Sequence, residues 1–545
     1  LMSVPSFQKW NKMCVPLFQM VLEGAKMNKV KEVFKDKAKL LHIIIIILGI
    51  AFISLANFHK AIWFDESYSV AISAHSFSEI WNIGGHDVHP VLYYWILHIL
   101  RYIFGNEILV YRLFSVLVIS ILGILGYTHI RKDFGNKTGI IFSALVFFMP
   151  ITLIYSGEIR MYALAMLLTT LTAIYAYRIY KNSTEKNTKN WILFAVFSLA
   201  AAYTHYYSLV ASGVINVLLF IYLVYNAVKQ KKFTANLKRF IAAAVVQIVL
   251  YIPWLIYLLL QIKQVSAGFW IEMKFPKTLQ EMFLFQFTGN LNKMEYVPET
   301  WGYIFGGIIC AYMLGIICVQ VVKFIKKRKK YSGKNQNEEI KPAIYAFSTY
   351  ALVLILIWIV SLIMPRPILY ARYMLCITGL FIFTISYLMA KYGNKYINIL
   401  MLILVMSMST YINVNLMKTN YEESNTKPIE YIQEKVEESD ILIYGNEAVG
   451  FVVSANMPEI EQYFYDGAYW NVDEAYKAFG PNMTIVHDLE ILKEYKGRIW
   501  TVNSNNYAIA DEIVEKYNAK IIEQVHYKTE YKEKYEYTFC LLEMK

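Results

Sequence analysis

The stretch WFDESYS, residues 63–69, places two carboxylates, Asp65 and Glu66, a few residues beyond a nearly unbroken apolar run. Trp63 and Phe64 precede the acids, and aromatic side chains of this kind anchor chains at the membrane–water interface. A carboxylate at that depth can act as a general base toward a hydroxyl group, which contributes about 10²–10⁴-fold to a rate. The same pair also has a simpler interpretation as part of a solvated loop.

Other ionisable and aromatic side chains recur near the ends of apolar segments, where they can meet the acid pair. Ionisable groups inside a membrane are costly and by default mark a functional site. Arginine binds phosphate through a planar fork of N–H donors. Carboxylates beside arginines at a membrane surface therefore suit the transfer of a group from a lipid phosphate to an acceptor hydroxyl. The residues are His86, Asp87 and His89 in GGHDVHP; Glu158, Arg160 and Tyr162 in YSGEIRMYAL; His205 and Tyr206 in THYYS; Trp270 and Glu272 in FWIE; and Arg366, Arg372 and Tyr373 in PRPILYARY.

Each of these residues has a structural interpretation beside the functional one. Arg366 can be a snorkelling anchor, and His205 can be a hydrogen-bonding residue in a tight turn. Tyr93, Tyr94 and Trp95 can form an interfacial aromatic belt. The whole set is harder to explain in this way, because its acids, histidines and arginines all fall on one side of the membrane in the topology derived below.

The elements that must position these residues are membrane-spanning helices. The 545 residues are 57% hydrophobic and only 17% charged, and their mean hydropathy is +0.38. A spanning helix needs about 20 mostly apolar residues. We predict eleven spans, at about 40–58, 108–130, 139–156, 161–180, 191–204, 207–228, 240–261, 303–324, 342–363, 373–390 and 396–415.

The segment PVLYYWILHILRYIF, residues 90–104, is too short for a twelfth span, starts at a proline and carries His98 and Arg101. We predict an amphipathic helix that lies in the interface. One set of loops then holds 22 lysines and arginines and the opposite set holds nine. The positive-inside rule puts the N-terminus in the cytoplasm, so 58–107 lies on the outer face of the plasma membrane. The net charge of +12 then reflects topology and gives no reason to expect a nucleic-acid partner.

The chain divides into three predicted regions: a cytoplasmic segment 1–39, a transmembrane domain 40–415 and an extracytoplasmic α/β domain 416–545. Residues 1–26 are predicted to be an extension upstream of the natural start, because the sequence from Met27 reads like an N-terminus. Five cysteines show neither CxxC nor zinc-site spacing. In the last region KPIEYIQEKVEES and IADEIVEKYNA predict helices, and DILIYG, MTIVHD, RIWTVNS and YTFCLLEM predict strands.

Taken in order, these motifs resemble the membrane glycosyltransferases of the GT-C fold. The nearest branch is the bacterial family 39 type of protein mannosyltransferases and aminoarabinose transferases. The resemblance covers about 40–415. Pro90-Val91 stands where the family often has Pro-Pro, and neither 261–302 nor the C-terminal region matches the family. The motifs are the Asp-Glu pair after the first span, DVHPVLYYWILHIL, LVYRLFS, YSGEIRMYAL, THYYS and YARYML.

The resemblance implies an inverting glycosyltransferase with a polyprenyl-phosphate-linked sugar donor. The acceptor would be a hydroxyl of an envelope polymer, a glycolipid or a protein. Asp65 matches the family's catalytic aspartate, Glu66 would support it or bind sugar, and Glu158 matches a second acidic position. Phosphate would be held by Arg160, Arg366, Arg372 and Tyr373, and substrate by Asp87, His89, Tyr162, His205 and Tyr206.

Two questions stay open at this stage. A divalent cation such as Mg or Mn could be bound by Asp65, Asp87, His89 and Glu158, with His205 as a further ligand. The chain could also be a transporter or flippase of lipid-linked sugars, although it lacks the inverted repeats and broken helices typical of transporters. Besides the glycosyltransferase and the transporter, a third possible function is that of a non-catalytic envelope scaffold, which leaves Asp65 and Glu158 without a role.

Overall fold

A computed structural model of the chain describes residues 36–182, 187–268, 270–291, 294–328, 336–467, 473–480, 482–532 and 535–544. The predicted extension 1–26 and part of the basic run 326–330 lie outside the described residues. The described chain forms a large helical domain followed by a six-stranded sheet with its own helices. The predicted fold class, a polytopic helical membrane protein with a C-terminal α/β domain, is therefore confirmed.

Within the described residues, nine helices are long and apolar enough to cross a membrane, as judged by length and composition. They match nine of the predicted spans. They are Lys37–Ser54, Ile108–Phe134, Tyr162–Lys181, Tyr206–Lys229, Ala235–Ala267, Glu299–Lys323, Ile340–Ile363, Ala371–Tyr392 and the helix that begins at Lys395 and ends at Tyr421.

The two other predicted spans are shorter apolar helices, Asn136–Phe148 and Thr188–Ala202, so a count of eleven spans is not confirmed. The first of them ends where Met149 adopts an extended conformation before Pro150. Proline restricts the residue before it to extended backbone and is well placed in the first turn of a new helix. A short helix, Pro150–Ile154, accordingly follows.

Three helices that are too short to span follow the first long one: Phe64–Ile72, Phe77–His86 and Leu92–Phe104. The second begins with a capping box, in which Ser76 and Glu79 satisfy each other's backbone N–H groups. The third confirms the helix predicted at 90–104. Tyr93 and Tyr94 lie on its buried face, so they do not form the aromatic belt considered above.

Two helices form the centre of the helical domain. In the most apolar stretch of Tyr162–Lys181, 89% of the residues are buried, and in Ala371–Tyr392 the figure is 83%. Only 6% is buried in Ala235–Ala267, which therefore lies at the periphery. Side chains at the start of the two central helices, Tyr162 and Arg372, thus lie inside the molecule. The remaining helix of the domain is Lys277–Thr288.

The C-terminal sheet has the strand order β3-β2-β1-β4-β6-β5. Strands β1 to β4 pair in parallel, and β6 pairs antiparallel with β4 and β5. The four predicted strands and both predicted helices are present, at β1, β3, β4 and β6 and at Thr426–Lys435 and Ala508–Tyr517. The strands are β1 Ile441–Tyr444, β2 Glu461–Tyr465, β3 Met483–Val486, β4 Gly497–Ser504, β5 Lys520–Thr529 and β6 Tyr535–Met544.

Strand β1 shows how the sheet joins the helical domain, because successive side chains of a strand point to opposite faces. Leu442 and Tyr444 belong to the large core shared with the helical domain. Ile441 and Ile443 face the other way and pack with Ile513 in a separate core. A helix not predicted from the sequence, Glu447–Asn456, packs between the shared face and the helix Phe64–Ile72.

Candidate active site

The first acid of WFDESYS forms an ion pair at the centre of the site. Asp65 lies in the first turn of the helix Phe64–Ile72, and Arg372 lies in the 3₁₀ turn Ala371–Met374. The Asp65 Oδ2 and Arg372 Nη2 atoms are 2.7 Å apart, and the two side chains are 19% and 8% exposed. A carboxylate in a helix's first turn is also favoured by the helix dipole.

Burial by itself disfavours the charged form of Asp65. The positive charges of Arg372 and Arg160 outweigh that effect, so the pKa of Asp65 lies below its usual value. Asp65 is therefore a carboxylate at neutral pH, which is the form that can accept a proton.

Arg160 connects this acid to the GGHDVHP motif. Its Nη1 donates to the backbone carbonyl of Asp65 at 3.0 Å, and its Nη2 lies 3.0 Å from His89 Nε2. Arginine only donates, so His89 Nε2 must accept and His89 Nδ1 must carry the proton. That N–H donates to the Asp87 carboxylate at 2.8 Å. Burial opposes ionisation of Asp87, but the contact with His89 lowers its pKa all the same.

Glu66 points away from Asp65 into a second ion pair. Its carboxylate and the Arg112 guanidinium form a two-point contact at 3.0 and 3.1 Å, and both side chains are fully buried. Glu66 Oε1 also accepts from the backbone N–H of Ile159 at 2.8 Å. Arg112 Nη1 in turn donates to the carbonyl of Gly157 at 2.6 Å. The pair therefore fixes the loop that carries Glu158 and Arg160.

Glu158 is an acid of the site with no ion pair within 4 Å in the described part of the chain, whereas Asp65 and Glu66 each face an arginine. Its side chain is 4% exposed, and its Oε1 has no hydrogen-bond partner in the described part of the chain. Burial raises the pKa of Glu158, although Lys532 and Arg372 pull it in the other direction. A buried oxygen without a partner costs free energy, so this carboxyl is free to accept a bond from a substrate hydroxyl.

Aromatic rings surround the Arg372 guanidinium. The rings of Trp63, Tyr162 and Tyr370 lie 5.4 to 5.7 Å from it, within the range of cation–π attraction. The rings of His205 and Tyr373 are 5.1 Å apart. These rings pack around the Arg372 guanidinium, whose Nη2 atom lies 2.7 Å from Asp65 Oδ2.

His205 has a structural contact of its own. Its Nδ1 accepts from the backbone N–H of Tyr207 at 3.1 Å and so caps the helix Tyr206–Lys229. Burial and the nearby positive charges lower the pKa of His205 to about 3, which keeps the ring neutral.

Two predicted binding residues lie apart from this cluster. The first is Arg366, which is exposed and interacts electrostatically with the nearby acid Glu272. The Tyr206 hydroxyl accepts from Trp254 Nε1 at 3.2 Å and donates to Gln261. The other ten predicted site residues line one connected region.

The four metal-ligand candidates are not brought together. Across the described ranges, no three His, Cys, Asp or Glu side chains are arranged to hold a metal ion. Asp65 is turned to Arg372 and Asp87 to His89, so the residues present do not fit a cation.

Two cations of the site were not among the sequence-based candidates. Arg112 had a signal, because an arginine inside a predicted span needs a buried partner and Glu66 is an obvious one. Lys532 had none, since it lies in a polar loop of the C-terminal region and reaches the site only through the tertiary fold.

The comparisons with known proteins agree with the resemblance. Residues 88–257 match a family model described as dolichyl-phosphate-mannose-protein mannosyltransferase. The resemblance to membrane glycosyltransferases is confirmed over these residues. The matched range contains His89, Arg112, Glu158 and Arg160, while Asp65 and Arg372 lie outside it. No curated protein matches the chain.

Several solved structures are similar to the chain at low sequence identity. ArnT from Cupriavidus metallidurans, in the apo state, is 11% identical with a TM-score of 0.45, and the match covers 92% of this chain and 97% of that one. The structure of the same protein bound to undecaprenyl phosphate is 11% identical with a TM-score of 0.46, and it covers the same shares of the two chains. The archaeal oligosaccharyltransferase AglB from Archaeoglobus fulgidus, in complex with an inhibitory peptide and a dolichol-phosphate, is 10% identical with a TM-score of 0.37, covering 85% of this chain and 69% of that one.

Proposed function

We propose that the chain is an inverting glycosyltransferase that moves a sugar from a polyprenyl-phosphate-linked donor to an acceptor hydroxyl on the outer face of the membrane. The observation that carries the proposal is the buried contact between the Asp65 carboxylate and Arg372, with Arg160 beside it. A base next to phosphate-binding cations is what transfer from a lipid phosphate requires. The family match over 88–257 supports the same class of reaction.

In the proposed reaction the acceptor oxygen attacks the anomeric carbon from the side opposite the phosphate. The new bond joins that oxygen to the carbon, the bond from the carbon to the phosphate oxygen breaks, and the configuration inverts. Asp65 takes the proton of the acceptor hydroxyl. The polyprenyl phosphate leaves with the bonding electrons, and Arg372 and Arg160 stabilise the charge that builds on it.

Arg372 has a double part in this scheme. While it pairs with Asp65, it weakens that carboxylate as a base, because an opposite charge at this distance lowers a carboxyl pKa. A donor phosphate that binds to Arg372 competes for its N–H donors. Asp65 then becomes a stronger base only when the donor is bound. It therefore takes up a proton from an acceptor hydroxyl and not from water in the empty site.

The outer-face assignment rests on loop charge. The loops on the side opposite Asp65 hold 22 of the lysines and arginines counted above, against nine on its own side. The donor sugar would accordingly be presented to the site from the outer leaflet.

Release of sugar from a lipid-linked donor tests the proposal. Purified protein in proteoliposomes receives a radiolabelled polyprenyl-phosphate sugar, and water-soluble or acceptor-bound label is measured over time. Asp65→Asn should slow release by about 10²–10⁴-fold, because the amide cannot take the proton. Asp133→Asn is the matched control, since Asp133 pairs with Arg178 at 2.8 Å and 20% exposure but is no part of the site.

Asp65→Asn releasing sugar as fast as the wild type would show that Asp65 is not the base. Wild-type protein that never releases sugar from any such donor, but carries the intact lipid across the bilayer, would establish the transporter alternative.

A further inference from the structure

The hairpin that joins β5 and β6 reaches from the C-terminal domain into the site. Tyr531 lies at its turn and is only 2% exposed. Its hydroxyl donates to the carbonyl of Ala61 at 3.1 Å and lies 3.4 Å from Glu66 Oε2. Its ring packs 5.7 Å from that of His59. Tyr531 therefore lies beside the helix that carries both acids.

Lys532 follows at the same turn in a conformation that is uncommon for its type. Its φ angle is +60°, a left-handed value that residues with a side chain seldom adopt. Its Nζ lies 6.0 Å from the ring centroid of Tyr296. It lines a small enclosed cavity of about 10 Å³ together with Glu158, Arg112 and His59. Lys532 thus shares a cavity with Glu158, whose Oε1 has no hydrogen-bond partner among the described residues.

The charges of the site can be matched in pairs. Asp65 faces Arg372, and Glu66 faces Arg112. Asp87 faces His89, which is joined to Arg160. Buried charges are tolerated when they are paired. Glu158 is the fourth acid of the site. Lys532, which interacts with it electrostatically, is the cation that can balance its charge.

We propose that Lys532 is a positioning residue, whose ammonium group favours the charged form of Glu158 across the cavity that both side chains line, so that the C-terminal domain completes the active site. The inference rests on the proposed function only for the role of Glu158 in transfer. The electrostatic interaction between Lys532 and Glu158 can be tested without any donor.

The protonation behaviour of both groups supports this pairing. Burial would lower the pKa of Lys532, yet the surrounding acids and phenols raise it, so the side chain stays charged. Burial raises the pKa of Glu158 and Lys532 opposes that rise. Loss of Lys532 should therefore raise the pKa of Glu158 further. The titratable and charged groups that face Glu158 are Lys532, Tyr531, Arg372, Asp65, Glu66, Arg112, His59, Tyr155, Tyr162 and Tyr296.

An infrared titration of the protein in proteoliposomes tests the contact. The protonated carboxyl band of Glu158 is identified by its loss in Glu158→Gln and is followed against pH. In Lys532→Met this band should persist to a pH higher by about one unit or more, and in Lys532→Arg it should stay close to the wild type. Lys528→Met is the matched control, because Lys528 lies on the same hairpin with its side chain 75% exposed.

Turnover of the lipid-linked sugar tests the consequence. Lys532→Met should lower kcat by roughly tenfold or more and change KM for the acceptor little, since the charge acts on the transition state. Lys532→Arg should recover most of the rate, and Lys528→Met should stay within about twofold. If Lys532→Met does not fold, the prediction is tested with Lys532→Arg alone, which should fold and keep most of the wild-type rate because it keeps the positive charge.

A Glu158 band that titrates alike in Lys532→Met and wild type would overturn the inference whatever the activity. So would failure of Lys532→Arg to restore what Lys532→Met loses. A shifted band in a protein that releases no sugar from any donor would leave the contact established and contradict only the proposed function.

Discussion

Asp65 meets two requirements that oppose each other. A general base must accept a proton, yet Arg372 at 2.7 Å lowers the pKa of Asp65 and makes it a weaker base. A carboxylate left alone at this depth would instead be protonated, because burial disfavours its charge. In the proposed mechanism the pair resolves this conflict, because Arg372 keeps Asp65 ionised until the donor phosphate competes for the guanidinium.

The neighbouring acid has a different part, although the two are adjacent in the sequence. Glu66 is enclosed by Arg112 and by the backbone N–H of Ile159. Its contacts therefore fix the loop that carries Glu158 and Arg160, and in the proposed mechanism Glu66 supports Asp65 through that loop. The sequence could show that two acids stand together, but it could not show that consecutive residues of a helix point in directions about 100° apart into separate ion pairs.

The Glu66–Arg112 pair should be more important for stability than for chemistry. Glu66→Gln leaves a buried guanidinium without its counter-charge, which costs about 3–5 kcal/mol in typical buried pairs. We expect a clear fall in the unfolding temperature of detergent-solubilised protein. The double variant Glu66→Leu with Arg112→Met removes both charges and should recover much of that loss. A double variant no more stable than the single one would contradict the assignment.

At the scale of elements, the helix Phe64–Ile72 is held between two domains. The ring of Phe64 stacks on that of Phe451 at 6.0 Å, and Phe451 belongs to the helix Glu447–Asn456 of the C-terminal domain. Phe451 is 1% exposed and also packs on Phe479, at 4.2 Å between ring centroids. The position of Asp65 is thus set partly by a helix almost 400 residues further along the chain.

Phe451→Ala should therefore weaken both the fold and the activity. Truncation of a buried phenylalanine costs about 3–5 kcal/mol. We expect a lower unfolding temperature together with a lower kcat for sugar release. Ile522→Ala is a suitable control, because Ile522 in β5 is 47% exposed. If Phe451→Ala unfolds earlier but keeps full kcat, the packing does not position Asp65.

The helices and strands also show which parts of the fold the sequence pattern predicts and which parts it does not. The long spans and the buried strand DILIYG are evident from apolar runs alone. Strand β5 was missed because it lies at the sheet edge with mostly exposed side chains, as Ile521 and Ile522 illustrate. Arg112 could have been found from its place inside a span. Lys532 could not, because nothing local in the sequence connects it with Glu158.

At the scale of the whole molecule, the site and the C-terminal sheet lie at the same end of the helical domain. This follows from the packing of the helix Glu447–Asn456 on the helix Phe64–Ile72. Both must then face the same side of the membrane. The loop-charge argument predicts that this side is the outer one.

Cysteine labelling should establish that orientation. In a variant without the five native cysteines, Asn505→Cys in an exposed turn of the C-terminal domain should react with a membrane-impermeant thiol reagent on intact cells. Lys231→Cys, exposed at the opposite end after Tyr206–Lys229, should react only after permeabilisation. The reverse pattern would place the site on the cytoplasmic side and contradict the proposed direction of transfer.

The inserted hairpin has a consequence for biogenesis. Tyr531 contacts Glu66 across 465 residues of chain, and the candidate spans found among the described residues all precede it in the sequence. During synthesis, all the spans can be inserted while the acid pair still lacks this contact. The contact between Tyr531 and Glu66 can form only after the C-terminal sheet has folded on the side of the acids. In the proposed orientation that domain must first be translocated, so its translocation would set the moment at which a newly made chain completes the site.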